Sequence, residues 1–179
     1  NSSSSIMQAK FLRFIEDILI TPLSGLEISL SYIIGGAVRG ILNGILVLLL
    51  AYFITGFHME NWFLTLVYLS TVAWAFAGAG VIVGIYAKSW DSIMVLTNFF
   101  LIPLTFLGGV FYSIEMLPDF WRNISMVNPL YWMINGLRYA TLGIADTSHE
   151  LSLGISVLFA IFFSTLASYM FSKGHRIKT

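Results

Sequence analysis

The chain has 179 residues, 58% of them hydrophobic and 10% charged, with a mean hydropathy of +0.85 and a formal net charge of zero. Soluble domains carry about one-quarter charged residues, and a core alone cannot hide so much apolar surface in a chain of this length, so the composition excludes a soluble domain and points to a membrane. With a net charge of zero nothing suggests a nucleic-acid partner, and the absence of cysteine excludes disulfides and thiolate metal sites.

The opening, NSSSSIMQAKF, has neither an initiating Met nor a basic-then-apolar signal pattern. It reads as the start of a fragment whose upstream sequence is missing. The next stretch, KFLRFIEDILITPLSGLEIS, is charged and proline-broken in an otherwise apolar chain. At about 100° per residue, Lys10, Arg13, Glu16 and Asp17 fall on one face of a helix, with Phe11, Leu12, Phe14, Ile15, Ile18 and Leu19 covering the rest. Arg13 is spaced to pair with Glu16 and Asp17. Pro22 stops this helix, because the residue before a proline avoids the α region. Ser24, with Glu27 three residues on, forms a capping box that starts the next.

Residues 10–32 are thus expected as a short amphipathic helix, a sharp break and a capped helix leading into the first span. Two readings are open for the amphipathic part. One is a helix lying on the inner leaflet. The other is a docking helix for a cytoplasmic partner, which two acids beside two bases suit better than they suit anionic lipid.

A spanning helix needs about 20 mostly apolar residues. Residues 33–57, 62–87, 92–112 and 151–172 qualify, and the short YAKSWDS connection makes the second and third an antiparallel hairpin. In the first span, Gly36, Gly40 and Gly44 recur every fourth residue; in the second, Ala77, Gly80 and Gly84 form another small-residue patch. Such residues let helix backbones approach closely, first within a bundle and alternatively across a dimer seam. Arg39 and Asn43 lie one turn apart near the inner end of the first span. An arginine there is costly in hydrocarbon; it either snorkels to the interface, contacts Glu27 or Asp91 as a gate, or anchors an anionic substrate. In the third span, Pro103 frees a backbone carbonyl and kinks the helix, and Gly108 and Gly109 follow at its outer end. Trp74, Asn98 and Thr105 are further candidates for lining a path.

Residues 113–150 have a different texture, with Pro118 and Pro129, scattered charges, and Trp121, Tyr131, Trp132 and Tyr139. Their apolar runs are too short to span and their aromatics suit the membrane boundary, so short interfacial or re-entrant helices are expected. Orientation follows from Lys and Arg. With the C-terminus inside, Lys10, Arg13, Lys88, Lys173, Arg176 and Lys178 lie on the inner side and only Arg122 and Arg138 on the outer. Glu60, Glu115, Asp119, Asp146 and Glu150 then fall outside.

No phosphate-binding G-x-x-x-x-G-K-[ST] loop occurs, so any ATP hydrolysis must come from another chain. His58, His149 and His175 are far apart and form no metal or catalytic set. A secondary transporter or channel subunit would show repeats or mid-membrane charges, which only Arg39 approaches.

Three stretches carry a family resemblance: RFIEDILITPLSGLEIS, the AKSWDS turn, and LGGVFYSIEMLPDFWRNISMVNPLYWMINGLRYATLG. They resemble the membrane subunits of type-2 ABC exporters over essentially the whole chain, most specifically across residues 108–143. The resemblance implies an all-α fold of six spans, with NSSSSIMQA the end of the second. It makes residues 11–20 the coupling helix that sits in a groove of the ATP-binding subunit, with Arg13, Phe14, Glu16, Asp17 and Ile18 at the contact. Residues 113–150 become the family's re-entrant outer helices. It further implies a homodimer in the bacterial inner membrane with two ATP-binding-cassette subunits, which hold ATP and Mg while this chain binds no cofactor. The substrate would be a lipid, a glycan or a drug-like molecule.

Overall fold

The computed structural model describes residues 2–14, 17, 20–56 and 58–173. Among these, four helices are long and apolar enough to cross a membrane: α2 (Gly25–Thr55), α3 (Trp62–Tyr86), α4 (Trp90–Leu107) and α7 (His149–Lys173). A shorter α1 (Ser2–Phe11) precedes them. Between α4 and α7 come a single 3-10 turn (Ile114–Met116), α5 (Asp119–Val127) and α6 (Pro129–Leu142). The described residues contain no strand.

Local chemistry places the ends of these helices. Ser24 and Glu27 make the full capping box: Ser24 Oγ accepts the Glu27 N–H at 3.3 Å, and the Glu27 carboxylate accepts the Ser24 N–H at 2.7 Å. This cap opens α2 itself, so the capped helix and the first span are one helix of 31 residues, beginning at Gly25 and not at residue 33. Asn61 Oδ1 caps α3 by accepting the Leu64 N–H at 2.9 Å. Asn128 caps α6 with Pro129 in the first turn, where a missing N–H is no loss.

Two expected helix limits are corrected. The third span stops at Leu107 rather than residue 112, because Gly109 takes a left-handed φ of 74° that other residues resist. The helix expected from Lys10 onward is interrupted: α1 ends at Phe11, and Arg13 itself has φ 61°. Lys10 therefore belongs to α1 and not to the face that carries Asp17.

Small residues bring the bundle together. A Cβ on Gly40 would lie 3.1 Å from that of Ala73, and one on Gly84 would lie 2.9 Å from that of Ile6 and 3.0 Å from the Ser3 backbone. The Gly36–Gly40–Gly44 stripe thus faces α1 and α3 of its own chain, and the Gly80–Gly84 patch receives α1. One core, around Ile6, Ile33, Ala77, Val81, Ala167 and Phe171, joins α1, α2, α3 and α7. A second, around Ala75, Met133 and Ala160, joins α3, α6 and α7.

α4 stands apart from both cores, with none of its apolar window buried. Its middle is a π turn, Thr97–Leu101, in which the Ile102 N–H reaches the Thr97 carbonyl. Pro103 follows and has no N–H for the carbonyl four residues back, so the wide turn absorbs the mismatch that a proline imposes.

Candidate functional site

The two ends of the bundle differ in character. At one end α1 finishes, α2 begins, α3 turns into α4 and α7 finishes. A Cβ on Gly25 would lie 2.5 Å from Ser172, and Lys10 reaches the last carbonyls of α3. Lys10, Lys88 and Lys173, predicted to share the inner side, thus share this end.

Lys10 Nζ donates to the carbonyls of Gly84 at 3.0 Å, Ile85, and Ala87 at 3.4 Å. The last carbonyls of a helix have no partner within it, and a cation is favoured there. Partial burial pushes the Lys10 ammonium below its usual pKa. Beyond Lys10 the described residues up to Ser24 are open to their surroundings. Phe11, Leu12, Phe14, Ile20 and Leu23 are all exposed, as are Arg13, Asp17 and Pro22. Glu16 and Ile18, expected at the same contact, lie outside the described residues. Exposed aromatic and aliphatic side chains beside charges of both signs are what a protein partner recognises at a membrane surface.

The other end is closed by a polar network in the segment between α4 and α7. Arg138 pairs with Asp146 at 3.2 Å, with the Asp146 side chain 6% exposed. Arg138 also donates to the carbonyls of Gly109 and, at 3.5 Å, Tyr112. Asp146 further accepts the Ser113 hydroxyl at 2.8 Å and the Ile114 N–H at 3.1 Å.

The fully buried Asn135 accepts the Asp146 N–H at 2.8 Å and donates to Ser152 Oγ at 2.9 Å and Thr147 Oγ1 at 3.1 Å. Tyr131 shares a 3.1 Å hydrogen bond with the Thr147 hydroxyl, and burial raises its phenol above the ordinary pKa. Tyr68 donates to the His149 carbonyl, and the Asn128 amide donates to the Leu104 carbonyl at 2.6 Å. Every charged member of this network is matched, so it fastens the end of α4 and the start of α7 to α6.

The candidate path residues are not brought together. Arg39, Asn43, Asn98 and Pro103 are all exposed on α2 and α4. Among the described residues, Arg39 forms no ion pair with Glu27 or Asp91. Trp74 donates to Ser164 Oγ at 2.9 Å and lines a groove between α3 and α7 with Ser70, Thr71 and Ile161. Thr105 lines a different gap, with Val72, Phe76 and Met133. The described residues hold no cluster of side chains suited to a metal ion. Reading the sequence missed the roles of Lys10, Asn135, Arg138 and Asp146. Their one visible signal was polarity inside aromatic-rich or apolar stretches.

Four helices long and apolar enough to span, braced at one end and open at the other, define a multi-pass membrane protein. The family model for ABC-2 type transporters matches residues 1–142, and the chain belongs to that family. The chain is 37% identical over 179 residues to the inner membrane transport permease YadH of Escherichia coli (strain K12), covering all of this chain and 70% of that protein. It is equally similar, over the same shares, to YadH of Shigella flexneri. It is 28% identical over 155 residues to nodulation protein J of Sinorhizobium fredii, covering 87% of this chain and 58% of that protein. No solved structure gives a significant match. The chain is therefore a transport subunit of an ABC transporter, and ATP hydrolysis in this family lies with a separate subunit.

Proposed function

We propose that the chain is the permease of an inner-membrane exporter, driven by an ATP-binding-cassette subunit that docks on residues 12–24. The observation that carries this reading is the open segment itself. In a chain of this family, exposed Leu12, Phe14, Ile20 and Leu23 beside Arg13 and Asp17 occupy the lysine-bearing end of the bundle. The Lys/Arg bias supports placing that end, and the C-terminus with it, in the cytoplasm. α4, apolar and unburied along its length, is the flank offered to lipid or to a second permease in a homodimer. The path between protomers would carry a lipid, a glycan or a drug-like molecule.

The docking segment joins two helices of the core. ATP-driven closure of the partner subunits would move it, and the break at Pro22 with the firm cap at Ser24 and Glu27 would pass that movement to α2 as a rigid body. The test is co-purification. The full-length protein should bring down a separate ATP-binding protein in near-equal amount, and freed of it should hydrolyse no ATP. A permease that purifies without any such partner from its native membrane would overturn the reading.

A further inference from the structure

We infer that Lys10 is the positioning residue that ties the docking segment to the α3–α4 hairpin, so that movement of the segment is delivered to α4. This inference rests on the proposal that residues 12–24 take an ATP-binding subunit. Three observations lead to it. Lys10 is the last half-buried side chain before the open segment begins, and its ammonium spends its hydrogen bonds on Gly84, Ile85 and Ala87, the carbonyls that end α3. Directly after them come Lys88 and Ser89, the whole of the turn into α4, whose cap is Ser89. α4 is the one spanning helix that neither core holds, and its π turn before Pro103 gives it a place to bend.

The route is short and physically continuous. A displacement of Arg13 or Phe14 pulls on the end of α1. α1 is wedged against Gly84 through Ile6 and Ser3, so it cannot slide freely along α3. The lysine is the polar link at the tip of that wedge, and it acts on the helix end where the α3–α4 turn begins. The outer half of α4 is held by Asn128 and its end by Arg138, so displacement of the inner half is taken up at Thr97–Pro103. An apolar side chain at residue 10 keeps the wedge but removes the link, and the docking segment then moves without the hairpin.

The experiment uses the full-length protein with its ATP-binding subunit in inside-out membrane vesicles, in a cysteine-free background carrying Asp91→Cys, an exposed position in the first turn of α4 on the half that moves. The readout is the rate of labelling by an impermeant maleimide, with and without ATP and magnesium. With Lys10 intact, ATP changes the rate. In Lys10→Met, the complex still co-purifies and hydrolyses ATP, but the ATP-dependent change shrinks by about fivefold or more, the size of an ordinary coupling energy. Lys10→Arg, which keeps the charge and donors, restores it. If Lys10→Met does not reach the membrane, Lys10→Gln is read in its place with the same expectation. A full ATP response in Lys10→Met or Lys10→Gln, or no recovery in Lys10→Arg, overturns the role of Lys10. No ATP response with Lys10 intact overturns the docking reading instead, and the two failures are told apart by that control.

Discussion

The segment between α4 and α7 and the segment between α1 and α2 lie at opposite ends of the bundle, and both carry charges of both signs. They are built in opposite ways. The first holds an ion pair satisfied within the fold: Arg138 on Asp146, Gly109 and Tyr112, and Asp146 on Ser113 and Ile114. The second leaves Arg13 and Asp17 exposed beside Leu12, Phe14 and Ile20. A polar group satisfied within the fold stiffens it, whereas one left exposed among apolar side chains is available to another molecule. The Arg138–Asp146 end is therefore the fixed frame of the bundle, and the opposite end, on the proposed orientation, is where energy would enter.

The contrast breaks first at the Arg138–Asp146 end. Asp146→Ala removes the acceptor of three donors and strands the partly buried Arg138 guanidinium, which should cost about 3–5 kcal/mol. Thermal unfolding of the detergent-solubilised protein measures it. Arg138→Ala should cost a similar amount, and the double variant less than the sum of the two. An additive double variant would mean that the two side chains do not act as a pair.

This network was the least legible part of the sequence. Arg138 and Asp146 stand eight residues apart across a helix end and a turn, and Arg138 reaches Gly109 from 29 residues away. No periodicity encodes such a pairing; it exists only once α4 has ended early and α6 has packed on α3 and α7. The same holds for Lys10. On a helical wheel it sits beside Arg13 and Asp17, but Arg13 turns left-handed and the orphan carbonyls of α3 draw the lysine inward. What the sequence did carry was local. The spans follow from runs of about 20 apolar residues, the start of α2 from Ser24 and Glu27, and close helix contact from Gly40 and Gly84. The π turn was only half legible: Pro103 announced a disturbance but not the wide turn before it.

A smaller effect sharpens the boundary between the two regions. Ser24→Ala removes one half of the capping box at the junction of the open segment and α2, and should cost about 1 kcal/mol. Because α2 is held from Ile28 to Gly44 by α1, α3 and α7, the loss should be confined to its first turn. Amide exchange should quicken at residues 25–28 and stay unchanged at residues 37–44. Faster exchange throughout α2 would show that the cap, not the packing, holds the helix in place.

The smallest expected effect on stability belongs to the acids of the open segment, and it tests the central claim most directly. Glu16→Lys with Asp17→Lys should leave folding and insertion unchanged, because Asp17 and the segment's other described residues are exposed. Against an ATP-binding subunit that meets these acids with basic groups, the reversal sets like charges together at the interface. The measurement is the yield of ATP-binding subunit co-purified with the full-length protein. The account predicts a folded, inserted permease that has lost most of its partner, together with the partner's permease-stimulated ATPase activity. Undiminished complex formation with undiminished stimulated hydrolysis would contradict it.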